Sequence, residues 1–111
     1  MIFQSILTQF QTLPSGTDAF KQLKQRCEQQ IPLATESSEQ AALYLIYGFA
    51  KNYVLLYEDQ AVTPEFAQTA KQQLLGYMSQ LDGAIQTGQK ADILDSLNQV
   101  TADYMQSSRV F

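Results

Sequence analysis

Residues 41–57, AALYLIYGFAKNYVLLY, decide the fold class. Projected at about 100° per residue, the apolar side chains of this run surround nearly the whole helix. They leave only a thin polar edge of Gln40, Lys51 and Glu58, flanked by Tyr44 and Tyr47. Such a helix belongs at the centre of a bundle, and Leu43, Ile46, Ala50, Val54 and Leu55 are the side chains expected to be buried in it. Its length approaches what a bilayer requires, but Lys51 and Asn52 interrupt the run, and a charge near the middle of a span is costly. The run reads as a buried helix rather than a membrane span. It opens at Ser37 or Ser38, with Gln40 at capping-box spacing from Ser37, and continues to about Asp59.

Downstream, Val62-Thr63-Pro64-Glu65 is the sharpest local signal in the chain. Thr63 is an N-cap, Pro64 suits the first helical position, and Glu65 meets the positive end of the helix dipole. From there Phe66, Ala70, Leu74, Tyr77, Met78, Leu81 and Ile85 cover one broad face, and Gly88 stands where a glycine terminates a helix. A last helix, about Lys90 to Ser107, turns Ile93, Leu94, Leu97, Val100, Tyr104 and Met105 inward and Asp92, Asp95 and Asp103 outward.

Upstream, Phe20, Leu23, Cys27 and Ile31 mark a narrow seam between a cap at Ser15 or Thr17 and the stop at Pro32. Before it, Phe3, Ile6, Leu7, Phe10 and Leu13 recur at helical spacing until Pro14-Ser15-Gly16. No alternating run of β-branched residues competes with these helices. The connections are short, so successive helices are antiparallel neighbours. The reading is one all-α domain over residues 1–111: a small antiparallel helical bundle of four main helices plus a short N-terminal one.

The chain has 111 residues, a net charge of −4 and no histidine. Residues 36–111 carry four basic and nine acidic side chains, an excess that repels a phosphate backbone and disfavours nucleic acid. Lys21, Lys24 and Arg26 are the one basic cluster. Without histidine the commonest general base and the commonest transition-metal ligand are gone, and Ser-His-Asp, Cys-His and Glu-x-x-His arrangements cannot be written. A lone Cys27 offers neither a disulfide nor a zinc site, and no glycine-rich phosphate loop is present. No catalytic residue, metal or cofactor is expected. Met1-Ile2-Phe3-Gln4 lacks a basic n-region and a continuous apolar h-region, which makes the cytoplasm the expected compartment.

Four features invite a functional reading. Asp92, Asp95 and Asp103 share one side of the last helix, ordinarily a solvated face. Tyr44, Tyr47 and Lys51 follow one edge of the central helix; with Tyr53 and Tyr57 they form the candidate set for a small apolar or aromatic ligand. Their ordinary role is to bury rings while Lys51 reaches to water. Cys27 lies on an apolar seam beside Lys24 and Arg26, where a buried cysteine is usually inert. The fourth feature is surplus apolar surface. The central helix is apolar on almost every side and three other helices each supply a core stripe, so the first helix is the least needed for closure. Phe3, Ile6, Leu7 and Phe10, with Leu75 as a second candidate, are therefore the expected partner-binding residues. The functional expectation is a non-enzymatic protein–protein interaction module of adaptor, chaperone or neutralising-partner type, binding another protein or itself as a homodimer. The alternative is a bundle that binds a small ligand beside the central helix.

Overall fold

The computed structural model describes residues 2–34 and 38–111. Among these the chain runs through α1 (Ile2–Thr12), α2 (Thr17–Gln30), a 3₁₀ turn (Ile31–Ala34), α3 (Gln40–Tyr57), α4 (Pro64–Gln86) and α5 (Lys90–Gln106), with no strand. The architecture is the small all-α bundle that the hydrophobic periodicity implies.

The helix ends show why. Thr63 is extended, at φ −70° and ψ 153°, and its hydroxyl accepts the Phe66 N–H at 3.1 Å ahead of Pro64. Such a cap contributes about 1 kcal/mol. At the other end of α4, Gly88 takes φ 70° and its N–H meets the Ile85 carbonyl at 3.0 Å, a left-handed turn that glycine makes without a Cβ clash. The start of α2 differs from the sequence reading. Gly16 occupies the N-cap at φ 125° and ψ −179°, and neither Ser15 nor Thr17 caps the helix; the Ser15 hydroxyl donates to the Gln68 carboxamide instead. Ahead of α3, Ser37 lies outside the described residues and Ser38 is exposed in a turn. The Gln40 amide donates to the Ile31 carbonyl at 2.9 Å, tying the 3₁₀ turn to α3.

α2 and α3 form the most extensive helix pair and α4 and α5 the next, while α1 lies against both α4 and α2. Phe20 sits at the junction, stacked on Tyr53 with ring centroids 3.8 Å apart and edge-on to Phe10 at 5.5 Å. Phe111 closes the same cluster. It is buried against Phe49 at 5.3 Å and Phe20 at 6.4 Å, and the Tyr104 hydroxyl donates to its carbonyl at 2.5 Å.

α3 is less enclosed than its composition implies. Leu43, Ile46, Ala50 and Val54 are buried, but Leu55 is 70 % exposed. The reason lies in α5, which packs along α4 and leaves one side of α3 uncovered. α5 also departs from expectation: Ile93 and Val100 are buried, while Leu94 and Met105 are exposed. Adjacent residues on a helix lie about 100° apart, so Leu94 cannot share the face of Ile93.

The largest correction concerns α1. Phe3, Ile6, Leu7 and Phe10 are all buried in the core, so they form no partner-binding strip. α1 is held at both ends by charges from elsewhere in the chain. At its N-terminus the buried Glu39 carboxylate accepts the Phe3 N–H at 3.0 Å. At its C-terminus the buried Lys71 ammonium donates to the Gln11 carbonyl at 3.3 Å and to the Leu13 carbonyl, with the Phe10 ring centroid 5.8 Å away. An anion at the positive end and a cation at the negative end are the signs that a helix dipole favours, and each satisfies backbone groups that α1 leaves unpaired.

Replacing Lys71 by methionine keeps the aliphatic stem and removes the donor. Lys71→Met is expected to cost about 1–3 kcal/mol in urea denaturation, the range for a lost buried charged hydrogen bond, and to speed amide exchange in α1 before α3. A variant as stable as wild type would show that the ammonium contributes nothing to holding α1.

Candidate functional site

The uncovered side of α3 and the facing side of α5 enclose a groove. Ala41, Tyr44, Leu45, Gly48, Phe49 and Asn52 of α3 face Leu97 and Thr101 of α5 around a hollow of about 410 Å³. Asn52 then begins a second hollow of about 310 Å³, continued by Leu55, Leu56, Tyr104, Arg109 and Phe111. Residue numbers rise together along both walls, so α3 and α5 run parallel, as an up-down-up order through α4 requires. The Phe49 and Tyr104 rings, with centroids 4.7 Å apart, bridge the gap between them.

Helical geometry explains the composition of the walls. Ala41, Tyr44, Leu45, Gly48, Asn52, Leu55 and Leu56 recur at three- and four-residue intervals and form the face of α3 opposite its buried line of Leu43, Ile46, Ala50 and Tyr53. On α5, Leu94, Leu97, Thr101 and Met105 recur in the same way, beside the Ile93–Val100 core line. Tyr44, Leu55, Leu56, Leu94 and Met105 are between 53 % and 70 % exposed, and Leu33 is the one other strongly exposed large apolar side chain among the described residues. Tyr44, Leu55 and Leu56 line the two hollows, and Leu94 and Met105 are exposed on α5 at helical spacing from Leu97 and Thr101, whereas single exposed residues are ordinary. Gly48 keeps the floor open: a Cβ built there would meet nothing within 4 Å.

Among the described residues Arg109 is the single charged side chain lining either hollow. Lys51 is exposed one helical turn before Leu55, and Lys90 one turn before Leu94. The acidic residues of α5 lie on its other side, where Asp92, Asp95, Gln99 and Asp103 form a stripe and Gln99 donates to Asp103 at 2.8 Å. Glu58 is turned toward α2, where its carboxylate meets Lys21 at 2.7 Å and raises the lysine's pKa through hydrogen bond and charge.

The residues singled out from sequence are dispersed. Leu75 is half-buried against the core rather than free for a partner. Tyr44 and Tyr47 are neighbours, with ring centroids 5.9 Å apart, and Lys51 is exposed along the same edge. Tyr53 is buried on the opposite face, where desolvation raises its pKa, and Tyr57 packs between Tyr53 and Phe66 at 4.8 and 5.0 Å. Of the five residues proposed for a small ligand, Tyr44 alone lines the groove. Cys27 is buried, and desolvation, opposed in part by Arg26, pushes its thiol up to about 12. Among the described residues no group of three or more His, Cys, Asp or Glu side chains is placed to hold a metal ion, and no helix is long and apolar enough to cross a membrane.

A larger hollow, about 620 Å³, lies where Ser15 and Gly16 approach Val62–Gln68. It contains no aromatic or long apolar side chain, and Thr63 and Ser15 are already engaged there by Phe66 and Gln68. The α3–α5 groove is the better-built site. No protein-family model, curated protein or solved structure matches this chain.

Lys71 and the groove are the elements the sequence reading missed. Lys71 had a visible signal, since it falls at helical spacing within the buried line of Ala67, Ala70, Leu74 and Met78. The groove had none, because it exists only once α5 has chosen α4 over α3.

Two outcomes follow. Gly48→Ala should raise stability by about 0.5–1 kcal/mol, since alanine is the better helix former and its methyl enters open space; a lower urea midpoint would show that the wall of the groove closes on Gly48. Cys27 should resist a thiol-directed disulfide reagent at pH 8, being held as the unreactive thiol, and react fully in 6 M guanidinium. Prompt stoichiometric labelling of the native protein would contradict the burial.

Proposed function

We propose that this chain is a non-enzymatic protein-binding module whose docking surface is the groove between α3 and α5. The observation that carries the reading is the set of Tyr44, Leu55, Leu56, Leu94 and Met105, five exposed apolar side chains on two parallel helices flanking an open groove. From Ala41 to Leu56 the groove spans about 23 Å at the usual helical rise, the length of about four turns of a docked helix. Two potentially reactive groups are held in the interior: Lys71 holds the end of α1, and Cys27 is a buried thiol. A free thiol suits a reducing compartment, and we place the protein in the cytoplasm.

A small apolar ligand in the hollow beside α3 is the second reading, favoured by its volume of about 410 Å³, which falls in the usual range for ligand sites. It is weaker because Tyr53 and Tyr57, two of the polar anchors it would use, face the core.

The test compares wild type, Leu55→Ser/Leu94→Ser and Leu33→Ser by affinity capture with mass spectrometry and by sedimentation. All substitutions fall on exposed positions, where stability changes are usually within about 0.5 kcal/mol, and circular dichroism confirms folding. Partners, or a second copy, that are lost with the groove variant and kept with Leu33→Ser are the expected result. Retention of every contact by the groove variant, or a monomeric wild type with no captured protein, would overturn the assignment.

A further inference from the structure

We propose that residues 107–111 form a hinged strap whose Phe111 ring is a displaceable plug, closing an aromatic slot that takes a neutral aromatic ring in its place. The proposal stands on ring contacts and holds whether or not a protein docks along α3 and α5.

The strap has no regular structure of its own. α5 ends at Gln106, Ser108 and Arg109 are exposed, and the chain then turns back to bury Phe111. That one ring meets four helices: Phe20 of α2 at 6.4 Å, Phe49 of α3 at 5.3 Å, Tyr77 of α4 at 6.3 Å and Tyr104 of α5 at 6.1 Å between centroids. The polar ties are local. The Tyr104 hydroxyl donates to the Phe111 carbonyl at 2.5 Å, the Arg109 guanidinium to the Met105 carbonyl at 3.1 Å and the Ser107 hydroxyl to the Tyr104 carbonyl at 2.6 Å, all at the end of α5. Among the described residues it is apolar contact, rather than hydrogen bonding, that joins the strap to α2, α3 and α4.

Arg109 is the hinge. It holds φ 54°, in the left-handed region that residues with a Cβ enter at a cost, and closing the strap also fixes the residues around it, which costs entropy. Both costs oppose the burial of one ring and neither falls on the hairpins, so the strap opens locally, at a free energy below that of global unfolding. The bundle need not part when it does, because Phe49 meets Tyr77 directly at 5.6 Å and Tyr57 meets Phe66 at 5.0 Å. The space left behind is specific. The second hollow, about 310 Å³, has Tyr104, Arg109 and Phe111 along one side. Withdrawing the ring extends that hollow to Phe20, Phe49 and Tyr77, whose faces suit a flat ring better than a branched chain. It also frees the Tyr104 hydroxyl as a donor, so a ring carrying a carbonyl acceptor fits, as Phe111 itself does.

The test follows the full chain, labelled with ¹⁵N and with ¹³C in its aromatic rings, by relaxation dispersion. It is then titrated with N-acetyl-phenylalaninamide, and with N-acetyl-leucinamide as the control. In wild type, residues 108–111 and the rings of Phe49, Tyr77 and Tyr104 are expected to share one exchange process with an open population of about 1 %, while Leu43 and Leu74 stay silent. Arg109→Gly relieves the left-handed residue and should lower that population severalfold. Phe111→Ala should remain folded by circular dichroism and bind the phenylalanine probe roughly a hundredfold more tightly than wild type, the inverse of the open fraction, with the leucine probe weaker on both.

No exchange at residues 108–111, or exchange shared with Leu43 and Leu74, would overturn the strap, since the ring would then move only with the whole core. An unchanged population in Arg109→Gly would overturn the hinge. An unfolded Phe111→Ala, or one that binds both probes equally or neither, would overturn the plug.

Discussion

The Lys71 ammonium at the end of α1 is the contact on which the arrangement depends. A buried cation with no acceptor carries a large desolvation cost. The Gln11 and Leu13 carbonyls offset it, and the same contact satisfies backbone oxygens that α1 exposes past its last turn. Glu39 does the converse at the Phe3 N–H. Two charges and two helix ends, each unfavourable alone, are compatible only when α1 lies where it does. Its four large apolar residues then cover the Phe20 side of the core. A helix that looks dispensable by counting apolar faces is fixed by polar groups outside it.

The division between what could be read from sequence and what could not has a physical basis. Thr63, Pro64 and Gly88 act within one turn of their own positions, so their helix ends were legible. The buried lines of α3 and α4 were legible because a 3.6-residue period survives in the sequence. Glu39 and Lys71 act on residues 36 and about 60 positions away, and nothing local records such a contact. The same holds for Leu55, Leu94 and Met105. Each is apolar and sits at helical spacing, but burial is decided by whether another helix arrives, and α5 went to α4.

Sequence arithmetic was therefore right that apolar surface is in surplus and wrong about where it lies. It assigned the surplus to α1, the terminal helix, whereas the structure leaves it on α3 and α5, with Gly48 between. This location matters for function. A surface on α1 would have to leave the core in order to bind, at the cost of Phe3 and Phe10 burial. A surface on α3 and α5 is already formed in the free protein, and a preorganised surface spends less of its binding free energy on rearrangement.

The pairing of helices also bears on the order of assembly. α2 with α3 and α4 with α5 are sequence-adjacent hairpins, rich in local contacts of the kind that form quickly. The bonds from Lys71 to α1 close a loop of about 60 residues, and Phe111 meets Phe20 across about 90. Closing such loops carries an entropy cost that rises only slowly with length, and it is recovered once both hairpins are in place. The molecule is thus two helical hairpins joined directly by the Phe49–Tyr77 and Tyr57–Phe66 contacts of α3 with α4, and bridged further by α1 and by the Phe111 ring. Loosening at Lys71 or Phe111 would leave the two hairpins joined by the α3–α4 ring contacts alone.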